Sequence, residues 1–582
     1  LHVICAADAG GSRSVDLEAL RRKRAERPQP ARPPPAPARK VYSQPRPTRE
    51  QLQLNADIKA CASADAVLDL VSSRLAVLNE VNASTALIII QRCTGKRAAW
   101  LKSDPRFAQL LSAAESLFDS MAPQNLANTL YACGQLSIMP PAKWMQRFWH
   151  VSTAKLGDFD PQAFSNTLYA CGQLSITPPA EWMQRFWHAS SAKVGDFVPQ
   201  ALSNTLYACG QLGVTPPDAW LGRFWLASAL KLGDFKPQEL SNTLYACGQL
   251  GISPPTNWLE RFWHASASVL GSFTVQGLSN TIYACGQLAI SPPADWLERF
   301  WLAGASILND FLPQALSNTL YACGQLGITP PADWLDCFWH SSASKLSAYN
   351  SQELCNTLLA CGLLDTRPPA DWLELFSTAC EHALPDTTQQ GLANTAFAVA
   401  MLQLWELPLW HSLWARLCSS LPRDIAGWSA EDRLQAMQMY QAYQAAVVER
   451  PGLLAAPSHE LLAAARKSWI NGLDTDIDRT SQLHDGVSAC LKRMGMAHTN
   501  ERWCERAERS IDIAIEGAVP VALEVDGPHH FLQDGRPEGS TLLRNRMLAA
   551  HGWRVAMVDY RVWQHELQTP EQQEQHLRGL LG

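Results

Sequence analysis

The nine residues Asn204-Thr205-Leu206-Tyr207-Ala208-Cys209-Gly210-Gln211-Leu212 decide the fold, because the same word returns along the chain at one spacing. It begins at Asn128, Asn166, Asn204, Asn242 and Asn318, reads NTIYACGQL from Asn280, and decays to NTLLACGLL at Asn356 and NTAFAVAML at Asn394, each step being 38 residues. Trp144, Trp182, Trp220, Trp258, Trp296, Trp334, Trp372 and Trp410 keep the same period, so eight units run in phase. A repeat of this length marks a solenoid, in which one supersecondary unit buries its apolar face only against its neighbours.

The third unit shows the build. Pro199 suits a first helical position, where no amide hydrogen is needed. Leu202, Leu206, Cys209 and Leu212 then recur at helical spacing, while Asn204, Tyr207 and Gln211 lie on another face. Thr215-Pro216-Pro217 ends this helix, and a second follows with Trp220, Leu221, Phe224 and Trp225 on its buried side. Two antiparallel helices per unit predict an all-α solenoid of eight 38-residue helix pairs over 121–421. Capping helices are expected over 51–120 and a helical connector over 422–480. One Cys per unit lacks the close C-x-x-C spacing of zinc sites and suits a small buried side chain in a reducing compartment.

The net charge of -6 conceals a gradient. Residues 1–50 hold eleven Lys/Arg against five Asp/Glu, with eight Pro between Pro28 and Pro47. Such a segment reads as disordered and basic, either a transit-peptide remnant or a plain linker. Apolar runs such as Ala86–Ile90 are far shorter than the roughly 20 residues that cross a bilayer. The repeats hold 13 Lys/Arg and 20 Asp/Glu between Met121 and Ser420.

Beside the constant frame, two columns vary. Before the helix-opening Pro, or its counterpart, stand Asp160, Val198, Lys236, Thr274, Leu312 and Asn350; two positions after it stand Ala163, Ala201, Glu239 and Gly277. A solenoid that reads a sequence needs such variable positions along one edge. Arg147, Arg185, Arg223, Arg261 and Arg299 form a ladder on the second helix, open either to phosphates or to acids of neighbouring units.

From Ser481 the pattern changes. A helix over Leu483–Met494, a hairpin of Ser510–Ile515 and Val519–Val525, a helix over Thr541–His551 and a strand Trp553–Val558 predict a small α/β domain over 481–582.

The repeat, PQxLSNTLYACGQL followed by PPxxW, resembles the octotricopeptide repeat of green-algal organelle proteins. That resemblance implies binding of single-stranded RNA, with successive units contacting successive nucleotides. The run VALEVDGPHHF with RPEGSTLLRNRMLAAHGWRVAMVDYRVW resembles the RAP domain, its core motif covering 521–580. The resemblance implies a restriction-endonuclease-like fold and a chloroplast or mitochondrial factor for transcript stability, processing, splicing or translation, with other organelle RNA-processing proteins as further partners. A metal-dependent endoribonuclease guided by the repeats and a protein-interaction scaffold are the alternatives. Nucleases of that fold place an Asp on one strand and Glu-x-Lys on the next to hold Mg²⁺ and activate water. Asp512 and Glu524 take the acidic places and Asp526 stands where Lys would be, which reverses the charge of the group meant to aid the nucleophile. His530, Arg544 and Arg546 are the remaining candidates for contact with RNA.

Overall fold

The computed structural model describes residues 46–95, 98–422, 424–474 and 482–582. The basic segment expected over 1–50 lies outside the described residues except for its end, where Thr48 caps a helix Arg49–Ala60.

Each unit is a helix pair. In the third, the first helix spans Pro199–Leu212 and stops at Gly213, whose left-handed φ of 62° closes the C-terminus. The second spans Asp218–Ala229 and runs into a 3-10 turn Leu232–Asp234. First helices of successive units pack tightly side by side, whereas second helices are held apart with the preceding 3-10 turn between them. That asymmetry sets the first helices on the inner side of the stack and the second helices on the outer side.

The repeated word explains the tight inner layer. Gly134, Gly172, Gly210, Gly248, Gly286, Gly324 and Gly362 each face an alanine of the next unit, and a Cβ on any of them would lie 3.0–3.3 Å from that alanine's Cα. Only glycine lets the helices approach so closely. Between them sit the repeat cysteines Cys133 to Cys361, buried, with their thiols pushed up by loss of solvent.

The outer layer is held by tryptophan. Trp220 is buried, stacks on Phe224 at 5.5 Å and meets Trp187 of the preceding unit edge-on at 5.2 Å. Its indole Nε1 donates to Ser190 Oγ at 3.1 Å, and the same bond ties Trp182 to Ser152, Trp258 to Ser228, Trp296 to Ser266 and Trp372 to Ser342. Burying such a ring contributes at most about 4–6 kcal/mol before ordering entropy.

The stack is longer than its regular part. Helices Arg49–Ala60, Ala64–Ser73, Glu80–Thr94 and Pro105–Ser116 form two more pairs ahead of the first unit, and Ala430–Glu449 with His459–Asp474 forms another behind the eighth. The expected cap and connector are thus layers of the same solenoid.

The C-terminal domain is a four-stranded sheet: β1 (Thr499–Cys504), β2 (Arg509–Ile515), β3 (Val521–Asp526) and β4 (Arg554–Asp559), in that spatial order. The first three pair antiparallel and β4 runs parallel to β3. Helices Gln482–Arg493 and Pro570–Leu581 cover one face, through Leu483, Val487, Leu491 and Leu577 against Ile513, Leu523 and Val558. Helix Gly539–Ala550 covers the other. β1 is an addition to the expected hairpin; its residues TNERWC lack the apolar alternation of a half-buried strand because it forms the edge of the sheet.

This domain docks along one edge of the stack, over its later units. Leu532, Leu543 and Met547 join the solenoid's core cluster. Gln533 donates from its backbone to Gly327 O at 2.8 Å, Asp534 accepts from Thr329 Oγ1 at 2.8 Å, and a Cβ on Gly539 would strike the carbonyl of Gly362. Every one of these solenoid residues lies just beyond the C-terminal end of a first helix or in its last turn.

Candidate functional site

Two groupings of polar residues result, one open and one closed. The open one is the inner face. Gln200, Asn204, Tyr207 and Gln211 fall at i, i+4, i+7 and i+11 of one helix and so share one stripe. Equivalent residues line the same stripe in the neighbouring units. The first-turn glutamines Gln124, Gln162, Gln200, Gln238, Gln276, Gln314, Gln352 and Gln390 are all exposed, whereas Asn204, Asn242, Asn280, Tyr207, Tyr245 and Tyr283 are half-buried. Successive tyrosine rings follow at 6.3–6.5 Å from Tyr131 to Tyr283, and burial raises their phenol pKa values. Asn166 donates to Asn128 Oδ1 at 3.2 Å, and Gln135 to Gln173 Oε1 at 2.9 Å. A groove of about 330 Å³ opens where Tyr283, Tyr321, Gln352, Asn356, Gln390 and Asn394 converge.

This face is almost free of charge. From Pro123 to Leu402 the eight first helices contain no Lys, Arg or Asp and only two acids, Glu239 and Glu353. Both carboxylates are used as caps, accepting from the backbone amides of Lys236 and Asn350 at 2.9 and 2.8 Å. The acidic balance of the repeats therefore sits on the second helices and loops, away from the inner stripe. Sequence reasoning placed Asn204, Tyr207 and Gln211 on a separate face but did not nominate them; their strict recurrence outside the apolar stripe was the available signal.

The two variable columns part company. Asp160, Val198, Lys236, Thr274, Leu312 and Asn350 occupy the N-cap positions and are exposed, at the edge opposite to the docked domain. Asp160, Thr274 and Asn350 cap their helices through their side chains, while Val198 and Leu312 stand 59% and 71% exposed with no capping bond. The second column is different: Ala163, Ala201, Glu239 and Gly277 are buried. Two residues past the first position, the helix has already turned these side chains under the neighbouring unit, so they are withdrawn from the exposed edge.

The arginine ladder lies on the outer layer, and all five members are exposed. Arg147 pairs with Asp119, Arg185 with Glu181 at 3.0 Å, and Arg223 donates to Ser191 O at 3.0 Å. Arg261 and Arg299 follow in the same column, facing away from the inner stripe. The lysines beside them are structural: Lys193 Nζ donates to the carbonyls of Gly157 and Phe159, and Lys231 to those of Gly195 and Phe197.

The closed grouping is in the C-terminal domain. Adjacent strands bring Asp512 and Glu524 together, and Asp526 follows on the same face of β3. Glu524 and Asp526 are 0% and 1% exposed. Arg544 reaches down from helix Gly539–Ala550 to Asp526 Oδ1 at 2.6 Å and Glu524 Oε2 at 3.3 Å. Asp512 Oδ2 accepts from the Val525 amide at 2.7 Å. Desolvation raises the Asp512 carboxyl and pushes Glu524 up to about 8, despite the opposing pull of Arg544. Arg509, also buried, is pushed down to about 10 by the same loss of water.

These residues do not fit a Mg²⁺ site. Hard divalent cations need several carboxylate or water oxygens turned toward one accessible point. Here a guanidinium supplies the positive charge, one Asp512 oxygen is committed to an amide, and no solvent reaches Glu524. Among the described residues no group of three or more His, Cys, Asp and Glu is arranged to hold a metal. His530 stands 3.5 Å from Asp526 and is held below its ordinary pKa by burial. Arg546, a candidate for phosphate contact, instead ties the domains together: it donates to the carbonyls of Ala400 and Met401 at 2.6 and 3.0 Å and pairs with Glu449 at 3.0 Å.

Comparison with known proteins agrees with this division. Residues 523–580 match the RAP domain. Residues 259–407 match the N-terminal domain of the Tbc2 translation factor, and residues 57–240 and 192–312 match its C-terminal domain. The inverted order and the overlap are what a periodic array produces, since any run of helix pairs aligns with any other. A chloroplastic RAP domain-containing protein of Oryza sativa subsp. japonica is 28% identical over 168 residues, covering 28% of this chain and 24% of the rice protein. This chain thus spans about a quarter of that relative's length. No helix among the described residues is long and apolar enough to cross a membrane. The chain is a helical-repeat array with likeness to Tbc2 translation factor domains, followed by a small sheet domain whose residues 523–580 match the RAP domain.

Proposed function

We propose that this protein is a sequence-selective RNA-binding factor of organelle gene expression, in which the inner stripe of the array receives single-stranded RNA and the RAP domain is a docked binding module. The observation that carries the reading is the uncharged, half-open stripe of Gln, Asn and Tyr repeated every 38 residues. Unpaired bases present hydrogen-bonding edges and π-faces, and protein amides and aromatic rings are the groups that recognise them. The exposed N-cap column beside the stripe supplies the variation that selectivity needs, through Asp160, Val198, Lys236, Thr274, Leu312 and Asn350. The match to a translation factor and the chloroplastic relative support a role on chloroplast transcripts. The closed acidic cluster favours binding over cleavage by the RAP domain.

Presenting the whole chain with a pool of random single-stranded RNAs and sequencing the retained fraction tests this. The expected result is enrichment of a motif, with a preference that changes when Asp160, Lys236 and Asn350 are exchanged for their counterparts in other units. Retention of the pool without enrichment contradicts it.

A further inference from the structure

The inner face ends in charge. Ahead of the first unit, helix Glu80–Thr94 takes the place of a first helix, and its residues occupy the same stripe: counted from the helix start, Thr85 stands where Asn128 stands, Ile88 where Tyr131 stands, and Arg92 where Gln135 stands. Lys59 extends this edge from helix Arg49–Ala60. Together they line a cavity of about 390 Å³ with Ser84, Thr85, Asn125 and Asn128. Both Lys59 and Arg92 are exposed, and neither has an ion pair or side-chain hydrogen bond among the described residues. They are two free cations opening onto a stripe whose next eight helices hold none.

We infer that this cavity is a phosphate-binding subsite that holds the phosphodiester backbone at one end of the bound strand and so sets its register. The inference rests on the proposed reading of the inner face. Its chemistry is complementary to that of the units: Lys59 and Arg92, with two hydroxyls and two amides, suit the oxygens of two neighbouring phosphates, one per cation, whereas neutral amides and phenols suit bases. Anchoring at a single charged end leaves the remaining contacts to the bases. Binding then depends on salt only as far as two phosphates require.

The test measures affinity of the full-length protein for its selected oligonucleotide between 50 and 200 mM salt. Two phosphate contacts on a single strand give a slope of roughly 1.4, which is a loss of about sevenfold across that range. The double variant Lys59→Ala, Arg92→Gln should lose this dependence while keeping the selected motif, with an unchanged thermal melt because both side chains are exposed. The triple variant Arg223→Ala, Arg261→Ala, Arg299→Ala should retain it. Oligonucleotides carrying a 5′-phosphate or a 5′-hydroxyl show whether the phosphate held is terminal or internal. A double variant that binds selectively but keeps the sevenfold loss overturns this inference alone; native protein that binds no RNA overturns the functional reading with it.

Discussion

The inner face of the array and the acidic cluster of the C-terminal domain are opposites. One is periodic, neutral and partly open; the other is single, charged and sealed. Glu524 and Asp526 have the residue types of a catalytic centre, yet they are shut beneath helix Gly539–Ala550 and neutralised from inside by Arg544. Gln200, Asn204 and Tyr207 have no unusual chemistry, yet they are offered to solvent once per unit. Access and repetition, more than reactivity, separate the surface proposed to receive RNA from a network that holds a domain together.

The largest expected effect tests the sealed side. Arg544→Met leaves two buried carboxylates without their cation and should destabilise the RAP domain by about 3–5 kcal/mol, read by hydrogen exchange of peptides from β3. A loss below about 1 kcal/mol would mean that the cluster is wetter and more open than described. The native domain should also respond to pH in an unusual direction. Glu524 has a folded pKa near 8 against an ordinary 4.5, so the folded state binds more protons between those values. Stability contributed there is present at low pH and falls as pH rises through 8. Glu524→Gln should flatten the profile.

On the open side, the triple variant Gln200→Ala, Gln238→Ala, Gln276→Ala should cost about 0.5–1.5 kcal/mol of RNA affinity per side chain and leave the melting temperature in place, since all three residues are exposed. A smaller effect concerns the frame beneath. Gly304 takes the place of the serine that accepts the indole N–H in other units, and Trp334 Nε1 has no hydrogen-bond partner among the described residues; a Cβ at Gly304 would sit 3.4 Å from it. Gly304→Ser should stabilise the array by about 1 kcal/mol, measured by chemical denaturation. Smallest of all, Arg261→Ala with Arg299→Ala should change both stability and RNA affinity by less than about 0.5 kcal/mol each.

The eight pairs were legible because a strict period exposes every helix boundary at once. The segment ahead of the array reads as two or three capping helices, and its departure from the strict period hides that it holds two full helix pairs. The first helices of those pairs begin at Arg49 and Glu80 and that of the first unit at Pro123, one spacing shorter and the next longer than 38 residues. Variability alone picks out the exposed N-cap column, but it picks out Ala163 and Ala201 equally, and these are buried under a neighbouring helix. The proximity of Asp512, Glu524 and Asp526, with Arg544 near them, is legible in the sequence, but that Arg544 turns inward onto Glu524 and Asp526 instead of outward to a phosphate is a matter of packing. Arg546, two residues on, points to the array instead, a distinction that only packing reveals.

On the proposed reading RNA lies on the inner layer. Photo-crosslinking of a selected oligonucleotide carrying thiolated bases, followed by mass spectrometry of the bound peptides, tests it most directly. Crosslinks should fall on first-helix peptides that contain Tyr207, Tyr245 and Tyr283. Crosslinks concentrated on the second helices, around Arg223, Arg261 and Arg299, would contradict the account.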